Sequence, residues 1–361
     1  MYLETLKIER LRTLDAVTLS LSPGLNVLIG PNGAGKTSVL EAAHLLSHAR
    51  SFRDGSRDAL IQRDARDLVV FGVVGDEQGR RHRLGLRRSS AGTEGRIDEV
   101  PAPTLGELLR CCAVICFEPG SHALISGPSE GRRRFLDWLL FHVEPGFLDT
   151  WKRYQRNLRQ RNAALRAGAD DATLEGWEAG LAQEGEALAG QREAWLQRLR
   201  PMVAGLASRL LGELGACSVF HQRGWRGDQG LAEALAEGRD RDRILGHTRR
   251  GPHRGDWSLG FDQAPERGHL SRGQEKLSAL ICLLAQAALY REQLGTTPIF
   301  ALDDFASELD EAHQRRVAAE LAHLDGQVLV TGVTMPSALA EWPRQRRLFH
   351  VEHGLIEVVA G

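Results

Sequence analysis

The segment PGLNVLIGPNGAGKTSVLEAAHLLS, residues 23–47, constrains the fold more than any other part of the sequence. A turn and a short apolar run precede a glycine-rich loop, and a helical pattern of apolar residues follows it. Such a loop can point successive backbone N–H groups at one anion, and the next helix adds the positive end of its dipole. The strand, loop and helix therefore predict a phosphate-binding loop within an α/β fold.

The residues of this loop have distinct predicted roles. Lys36 would place a positive charge at the β- and γ-phosphates of ATP, where it also assists catalysis, and the Thr37 hydroxyl would bind Mg²⁺. The predicted nucleotide-binding residues of the loop are Gly30, Pro31, Asn32, Gly33, Ala34, Gly35, Lys36, Thr37 and Ser38. A chance glycine-rich turn is the alternative, and the elements on both sides of the loop argue against it.

A second acidic motif lies in TPIFALDDFASELD, residues 297–310. Its apolar run, 299–302, predicts a buried strand that carries two carboxylates to its C-terminal end, where α/β sheets bind ligands. We expect Asp303 to hold Mg²⁺, directly or through water, and Asp304 to polarise the attacking water. A solvated loop acid is the alternative for Asp304. Many related ATPases carry the longer glutamate there, so we expect slow hydrolysis of ATP.

The stretch LSRGQEKLSALICLLAQAALY, residues 270–290, predicts a long helix that has its own anion site. With Ser271 as N-cap, Gln274 becomes N3 and the pair fits a capping box. Gly273 leaves the helix end open to close approach. The phosphates of the same chain are already enclosed by the first loop. We therefore predict that Ser271, Arg272, Gly273 and Gln274 meet the γ-phosphate held by a second copy; a merely well-capped helix is the alternative.

Residues 120–215 differ from the part of the chain before them, because the spacing of their apolar residues predicts helices. Later elements are expected in the order strand 217–225, strand 256–262, helix 273–291, strand 297–303, helix 311–324 and strand 327–332. We therefore predict an α/β ATPase lobe with mixed sheets, split by a helical insertion. Its three segments are the N-terminal part of the lobe (1–119), the insertion (120–215) and the C-terminal part (216–361).

The insertion is too short for the long coiled coil of a large SMC protein, since two arms could have at most about 45 residues each, under ~70 Å. Helix-breaking residues are also expected to interrupt such arms. These residues are Gly168, Gly176, Gly180, Gly185, Gly190 and Pro201. A compact helical lobe is the prediction.

Composition limits the partners and the location. The net charge is −1, so any contact with DNA must come from a local basic patch, which the sequence does not clearly reveal. The five cysteines form no paired CxxC spacing and predict buried free thiols rather than a metal site. No apolar run approaches the roughly 20 residues of a membrane span, and the N-terminus lacks the apolar core of a signal peptide. We expect a cytoplasmic protein without a membrane partner.

The motifs GPNGAGKT, LSRGQ and LDDFASELD occur in an order that resembles the ABC-type ATPase heads of SMC-like DNA-repair proteins. Two further stretches, SGPSEGRRRFLD (126–137) and GPHRGDW (251–257), resemble signatures of the RecF family of bacterial recombination mediators. The resemblance covers essentially the whole chain. It implies an ATP-dependent homodimer in which two heads sandwich two ATPs. It also implies binding to double-stranded and gapped DNA, and action with RecO and RecR that helps to load RecA.

The same resemblance assigns further residues. It implies that Arg12 lies near the phosphates, that Ser51 to Arg53 lie near the nucleotide, and that Asp310 belongs to a loop across the dimer interface. Glu118 stands about where related heads keep a glutamine that senses Mg²⁺. After the strand QVLV, related heads keep a histidine, whereas this chain continues with Thr331 and a glycine. The departure again implies slow, switch-like ATP turnover, with a weak DNA-stimulated ATPase as the expected activity.

Several alternatives remain open from the sequence. A transporter's nucleotide-binding subunit would share the ATP motifs, but it should keep the histidine and a glutamine that this chain lacks. A small-molecule kinase would have no use for LSRGQ. Arg133 and Asp137 are spaced i,i+4 on a helix and could simply pair, or could have a functional role. The stretch 251–257 could equally be a structural turn or a contact site.

Overall fold

The computed structural model describes residues 1–53, 57–76 and 78–359, without the side chains at 57 and 58. In chain order the strands β1 to β14 are Tyr2–Leu11, Leu14–Ser20, Leu25–Ile29, Asp67–Gly75, Arg81–Ser89, Gly92–Ile97, Val100–Pro101, Val114–Phe117, Cys217–Gln222, Asp256–Phe261, Ile299–Leu302, Val328–Gly332, Arg346–Glu352 and Leu355–Val359. The helices α1 to α11 are Lys36–His48, Leu105–Arg110, Ala123–Ser126, Ser129–Val143, Phe147–Arg166, Asp171–Leu210, Leu231–Glu237, Arg239–Leu245, Arg272–Leu294, Phe305–Glu308 and Glu311–Leu324.

The first compact unit comprises residues 1–121 and the chain from 280 onward, and it contains two six-stranded sheets. One sheet has the order β14-β13-β3-β12-β11-β8, in which neighbours from β13 to β8 are parallel and β14 is antiparallel. The other is antiparallel, with the order β2-β1-β4-β5-β6-β7. Helix α1 contacts strands of both sheets. The predicted α/β class with mixed sheets is confirmed.

Burial explains why these strands occupy their places. The side chains of β11 and β12 are buried along their whole length, as expected for inner strands of a parallel sheet that is covered on both faces. In β4, by contrast, buried and half-buried residues alternate, which is the pattern of a sheet with one core face. The parallel strands β3, β8, β11 and β12 end at the same edge, so the residues that follow them come together there.

The second compact unit spans residues 122–279. Helices α5 and α6 pack against each other, α4 packs against β10, and α6 packs against β9. Strands β9 and β10 form their own two-stranded antiparallel sheet. This unit therefore contains the segment 216–279, which our sequence analysis assigned to the C-terminal part of the ATPase lobe. The difference arises because β9 and β10 pair with each other and pack on helices of the insertion.

Helix α6 corrects the expectation that glycines and proline interrupt the insertion. It runs for 40 residues, about 60 Å at a rise of ~1.5 Å per residue, and contains Gly176, Gly180, Gly185, Gly190 and Pro201. At Gly185 an added Cβ would lie 2.4 Å from Leu231 Cδ2 and 3.1 Å from Tyr154 Cε2. Close tertiary packing thus outweighs the low helix propensity there. Gly168, in contrast, has φ +68° and follows the end of α5.

Among the described residues, no helix is both long enough and apolar enough to cross a membrane. The five cysteines are free thiols, of which Cys112 and Cys282 are fully buried and the others are half-buried. Burial raises the pKa of Cys112 to about 12. In the same described part of the chain, no cluster of three or more histidine, cysteine, aspartate or glutamate side chains could hold a metal.

Candidate nucleotide-binding site

The loop between β3 and α1 depends on its glycines. Gly30 has φ +151°, and a Cβ there would lie 2.0 Å from the carbonyl oxygen of Val351. Gly35, which caps α1, has φ +111°, and its Cβ would lie 2.8 Å from Leu14 Cδ2. At both positions a side chain would be strained by the positive φ and would clash with the neighbouring atom. Gly33 also has positive φ but faces open space, at the exposed tip of the loop.

Lys36 is almost fully buried beneath this loop. Its Nζ donates hydrogen bonds of 2.8 Å to the carbonyl oxygens of Gly30 and Pro31, so the side chain folds back along the loop. Burial lowers the pKa of Lys36, and the negative charges of Asp304 and Asp303 act in the opposite direction. The ammonium group is therefore held where the loop and both carboxylates meet.

Four residues form what we call the Asp303 cluster: Thr37, Asp303, Asp304 and Thr331. The Thr37 hydroxyl donates to Asp303 Oδ1 at 2.8 Å, although the two residues are 266 positions apart. Thr331 Oγ1 donates to the same carboxylate oxygen at 2.7 Å and accepts the backbone N–H of Asp304 at 2.8 Å. Asp304 has φ +56°, a left-handed conformation that this hydrogen bond helps to hold. One threonine hydroxyl thus links the two acidic residues.

The donor set of this cluster fits Mg²⁺. Burial raises the pKa of Asp303, while its hydrogen bonds from Thr331 and Thr37 oppose the shift. A buried carboxylate beside a hydroxyl is a site where a nearby cation favours the charged form. Mg²⁺ is commonly held by one or two protein oxygens together with phosphates and water, so Thr37 and Asp303 suffice without a larger cluster of protein ligands.

Glu118 follows β8, and β8 pairs with the strand that leads into Asp303. The backbone N–H of Asp303 donates to the Phe117 carbonyl at 2.8 Å, so the two acidic residues follow neighbouring strand ends. However, Glu118 Oε2 accepts the backbone N–H of Gly120 at 2.6 Å, within its own loop. Its predicted part in binding Mg²⁺ therefore stays a prediction.

Arg12, predicted near the phosphates, makes a two-pronged ion pair with Glu41 of α1. Its Nη2 lies 2.8 Å from Glu41 Oε1, and its Nε binds the other carboxylate oxygen. The Ser51 hydroxyl donates to the same carboxylate, and Ser51 Oγ accepts the N–H of Arg53 at 2.8 Å. Arg12 and the segment 51–53 are thus joined through one buried acid. The sequence analysis missed Glu41, although an acid within an apolar helix requires a partner.

The predicted capping box at the start of α9 is present. Ser271 Oγ accepts the N–H of Gln274 at 3.3 Å, and Gln274 Oε1 accepts the N–H of Ser271 at 2.9 Å. Ser271, Arg272 and Gly273 are exposed, and a Cβ at Gly273 would meet no atom within 4 Å. Asp310 has a similar local role, because its carboxylate accepts the N–H of His313 at 2.9 Å and caps α11.

The stretches 126–137 and 251–257 contact each other within the second unit. Arg132 is 2% exposed, and its Nε donates to Asp256 Oδ1 at 2.7 Å. Trp257 Nε1 donates to the Arg132 carbonyl at 2.8 Å. These partners identify both stretches as parts of one buried polar network.

The i,i+4 pair considered for Arg133 and Asp137 is absent. Arg133 donates instead to Ser129 Oγ at 2.7 Å and to the Gly255 carbonyl at 2.8 Å. Asp137 accepts two hydrogen bonds of 2.8 Å from Arg192. Each side chain has a partner on another segment, which holds it more firmly than an exposed pair on one helix would.

Known proteins are similar to this chain over nearly its whole length. The RecF/RecN/SMC N terminal domain family matches residues 2–357. The DNA replication and repair protein RecF of Stenotrophomonas maltophilia is 48% identical over 365 residues, which are 99% of this chain and 100% of that protein. The structure of the recombination mediator protein RecF with ATP in the RecFOR pathway is similar, with a TM-score of 0.89 and 23% identity over 99% of this chain and 98% of that chain.

A more distant likeness has the same fold. The SMC head bound to the C-winged helix domain of ScpA gives a TM-score of 0.59 at 14% identity, over 99% of this chain and 97% of that chain. The two structural likenesses together show the fold of an ABC-type ATPase head.

Proposed function

The chain belongs to the RecF family of DNA replication and repair proteins, and from this premise we propose that it is an ATP-dependent DNA-binding clamp. In this proposal two copies dimerise when ATP binds, hold duplex DNA at gaps and junctions, and separate after slow hydrolysis. The clamp acts in recombinational repair and replication restart, in the cytoplasm. There it works with RecO and RecR, and so helps to load RecA.

The hydrogen bond from Thr37 to Asp303 is the observation that best supports the ATP-dependent part of the proposed function. It joins the end of the glycine-rich loop to the end of β11, whose two carboxylates also lie close enough to affect Lys36 electrostatically. A loop for phosphates, a cation and a hydroxyl–carboxylate pair at one sheet edge form a site for a nucleoside triphosphate and Mg²⁺.

Each side chain then has a defined part in the mechanism. Lys36 would leave the loop carbonyls and neutralise the phosphates, while Thr37 and Asp303 would hold Mg²⁺. The ion, when bound, neutralises charge that develops on the phosphate oxygens. Asp304 orients and polarises the attacking water, and its reach is fixed by Thr331, which holds its backbone. The short carboxylate supports slow turnover, as a switch requires.

The second half of each site is proposed to come from the other copy. The α9 N-terminus is exposed, carries an N-cap hydroxyl and has open space at Gly273, so an anion can approach its backbone N–H groups. Arg272 adds a positive charge, and Asp310 at the start of α11 lies across the same interface. A γ-phosphate bound in one copy would therefore hold the α9 end of the other.

Mixing two variants tests this arrangement. Lys36→Ala removes the phosphate charge and should abolish ATP binding, whereas Ser271→Arg fills the anion site with a bulky cation. The latter should still bind ATP as a monomer, since its own loop is unchanged, but should not dimerise. Neither variant alone should hydrolyse ATP, yet a mixture should recover part of the activity, up to the fraction of heterodimers. Fluorescence titration measures ATP binding, gel filtration measures dimerisation, and phosphate release measures hydrolysis.

Two results contradict the proposal. Normal ATP binding by Lys36→Ala would remove the loop from nucleotide binding. Normal ATP-dependent dimerisation by Ser271→Arg would show that Ser271 serves only its own helix.

A further inference from the structure

Helix α5, Phe147–Arg166, concentrates positive charge in a chain whose net charge is −1. Its sequence, FLDTWKRYQRNLRQRNAALR, contains Lys152 and five arginines but only one acid, Asp149. An isolated excess of this kind is a local basic patch, the feature that the overall composition could not reveal.

Some of these arginines have structural roles. Arg161 is fully buried and binds Glu178 and Asp242, with Nη1 2.7 Å from the Asp242 carboxylate. Arg153 pairs with Glu184 of α6. In both cases an acid on a neighbouring helix faces the guanidinium group, so their presence on α5 is explained by packing.

Arg166, at the end of α5, donates to the Gly246 carbonyl at 3.4 Å. The other three basic residues form what we call the α5 stripe: Lys152, Arg156 and Arg159. All three are exposed. No hydrogen bond or ion pair joins any of them to another described residue. Their charges are therefore available to a partner outside the chain.

The stripe follows one face of a rigid helix. Its residues are spaced i, i+4 and i+7, so they lie on one side of α5 and span about 10.5 Å along the axis. The opposite side is buried, with Tyr154 and Leu158 among its core residues, and α5 packs along α6. The cations are thus presented in a row whose backbone is already ordered.

We propose that the α5 stripe binds the phosphate backbone of duplex DNA. The inference rests on the proposed function and adds to it a contact surface. The exposed residues from 152 to 160 are Lys152, Arg153, Arg156, Arg159 and Gln160, without an apolar member. The centre of a protein interface is enriched in aromatic and apolar residues, whereas phosphate contacts require only positive or polar groups. The row therefore fits a repeating line of phosphates better than an acidic protein surface.

The test compares two triple variants that change the net charge equally. Lys152→Gln, Arg156→Gln and Arg159→Gln together neutralise the stripe, and glutamine preserves helix propensity. Arg80→Gln, Arg81→Gln and Arg83→Gln form the control, because these exposed arginines already pair with Asp76, Glu4 and Glu99. Binding to fluorescent duplex DNA is measured with ATP between about 50 and 200 mM salt.

The stripe variant should lose at least about tenfold in affinity at the low-salt end, and the slope of log K against log salt should shrink by up to about 2.7 per protomer. Arg156→Gln alone should reduce the slope by about 1. The control should bind as the unchanged protein does, and all variants should keep the ATP-dependent dimer.

Four results would overturn the inference. If the stripe variant keeps affinity and slope, the stripe does not contact DNA, although the proposed function stands because the unchanged protein binds. Equal losses of DNA affinity in both triple variants would show that the effect depends only on net charge. Unchanged DNA binding with lost binding of purified RecR would assign the stripe to a protein partner. If the unchanged protein itself binds no duplex with ATP, the proposed function fails as well.

Discussion

Thr331 shows how one hydroxyl can organise an acidic site. It is buried at the end of β12, donates to Asp303 and accepts the backbone N–H of Asp304. The sequence identified this position only as a departure from the histidine of related heads. The structure shows instead that the hydroxyl is already used twice within the protein.

Replacing Thr331 by valine should therefore slow ATP hydrolysis more than it weakens ATP binding. Valine has nearly the same shape but leaves the Asp304 N–H without its partner, and misplacement of a catalytic group by about 1 Å can lower the rate ~100-fold. We expect a loss of about 10- to 100-fold in turnover, with ATP affinity changed by less than about threefold.

Thr331→Ser is the matched control, because it retains the hydroxyl and should restore most of the rate. Phosphate release under saturating ATP measures turnover, and fluorescence titration measures affinity. Unaltered hydrolysis by the valine variant would exclude Thr331 from positioning Asp304.

Helix α6 contains two kinds of glycine: some are required by close packing, and others face open space. A Cβ at Gly185 would lie within 2.4 Å of the buried Leu231, whereas at Gly190 it would meet nothing within 4 Å. Gly176 faces open space in the same way. The helix therefore tolerates low propensity at exposed positions because its other face is buried against α5 and α7.

Gly190→Ala should stabilise the protein by about 0.5–1 kcal/mol, since alanine removes the entropy cost of glycine in a helix interior. Gly185→Ala should give no such gain, because the new methyl group must displace Leu231. Urea unfolding of both variants provides the comparison. A larger stabilisation from Gly185→Ala than from Gly190→Ala would contradict this account of α6.

Sequence patterns predicted elements best where local chemistry marks their ends. Helix α11 spans Glu311–Leu324 as predicted, and Asp310 caps it with a side-chain hydrogen bond. The capping box at Ser271 was also predicted, because both of its partners lie within a stretch of four residues. By contrast, the continuity of α6 depends on residues such as Leu231, which are distant in sequence. Strands β13 and β14 were not predicted, because polar residues such as His350 and Glu357 interrupt their apolar runs.

Across the molecule, stability should depend on pH through two histidines, the buried His44 in one unit and the half-buried His253 in the other. Burial lowers the pKa of His44 and of His253 to about 4. His253 Nε2 contacts the Thr248 carbonyl at 3.0 Å, so it carries the hydrogen, and Nδ1 accepts the Tyr154 hydroxyl at 2.5 Å. The folded protein thus holds both rings neutral, whereas the unfolded chain protonates them below its ordinary pKa of 6.5.

The free energy of unfolding should therefore fall as pH decreases from 6.5 towards 4, by up to about 1.4 kcal/mol per pH unit for each histidine. Above pH 6.5 the effect is absent, because both states are neutral. Urea unfolding at a series of pH values measures the slope. His253→Asn should make the slope shallower, and an unchanged slope in that variant would show that its ring does not account for the dependence.

The candidate site was predicted from sequence where its residues form contiguous motifs, and only in part where distant segments complete it. The loop and the two aspartates were recognised from their neighbours along the chain. Glu41 and the double role of Thr331 were not, since each depends on partners on other elements. The α5 stripe could not be predicted either. Its spacing is visible in the sequence, but the absence of partners for it among the described residues is a property of the fold.

Strand β3 lies in the middle of its sheet, between β12 and β13, and this order has a consequence for synthesis on the ribosome. Both neighbours are made roughly 300 residues later, ~15–60 s at about 5–20 residues per second. Throughout that interval the apolar strand that leads into the glycine-rich loop has neither of its pairing partners. The nascent chain must therefore keep β3 from aggregating, and the ATP site can form only after the last strands have left the ribosome.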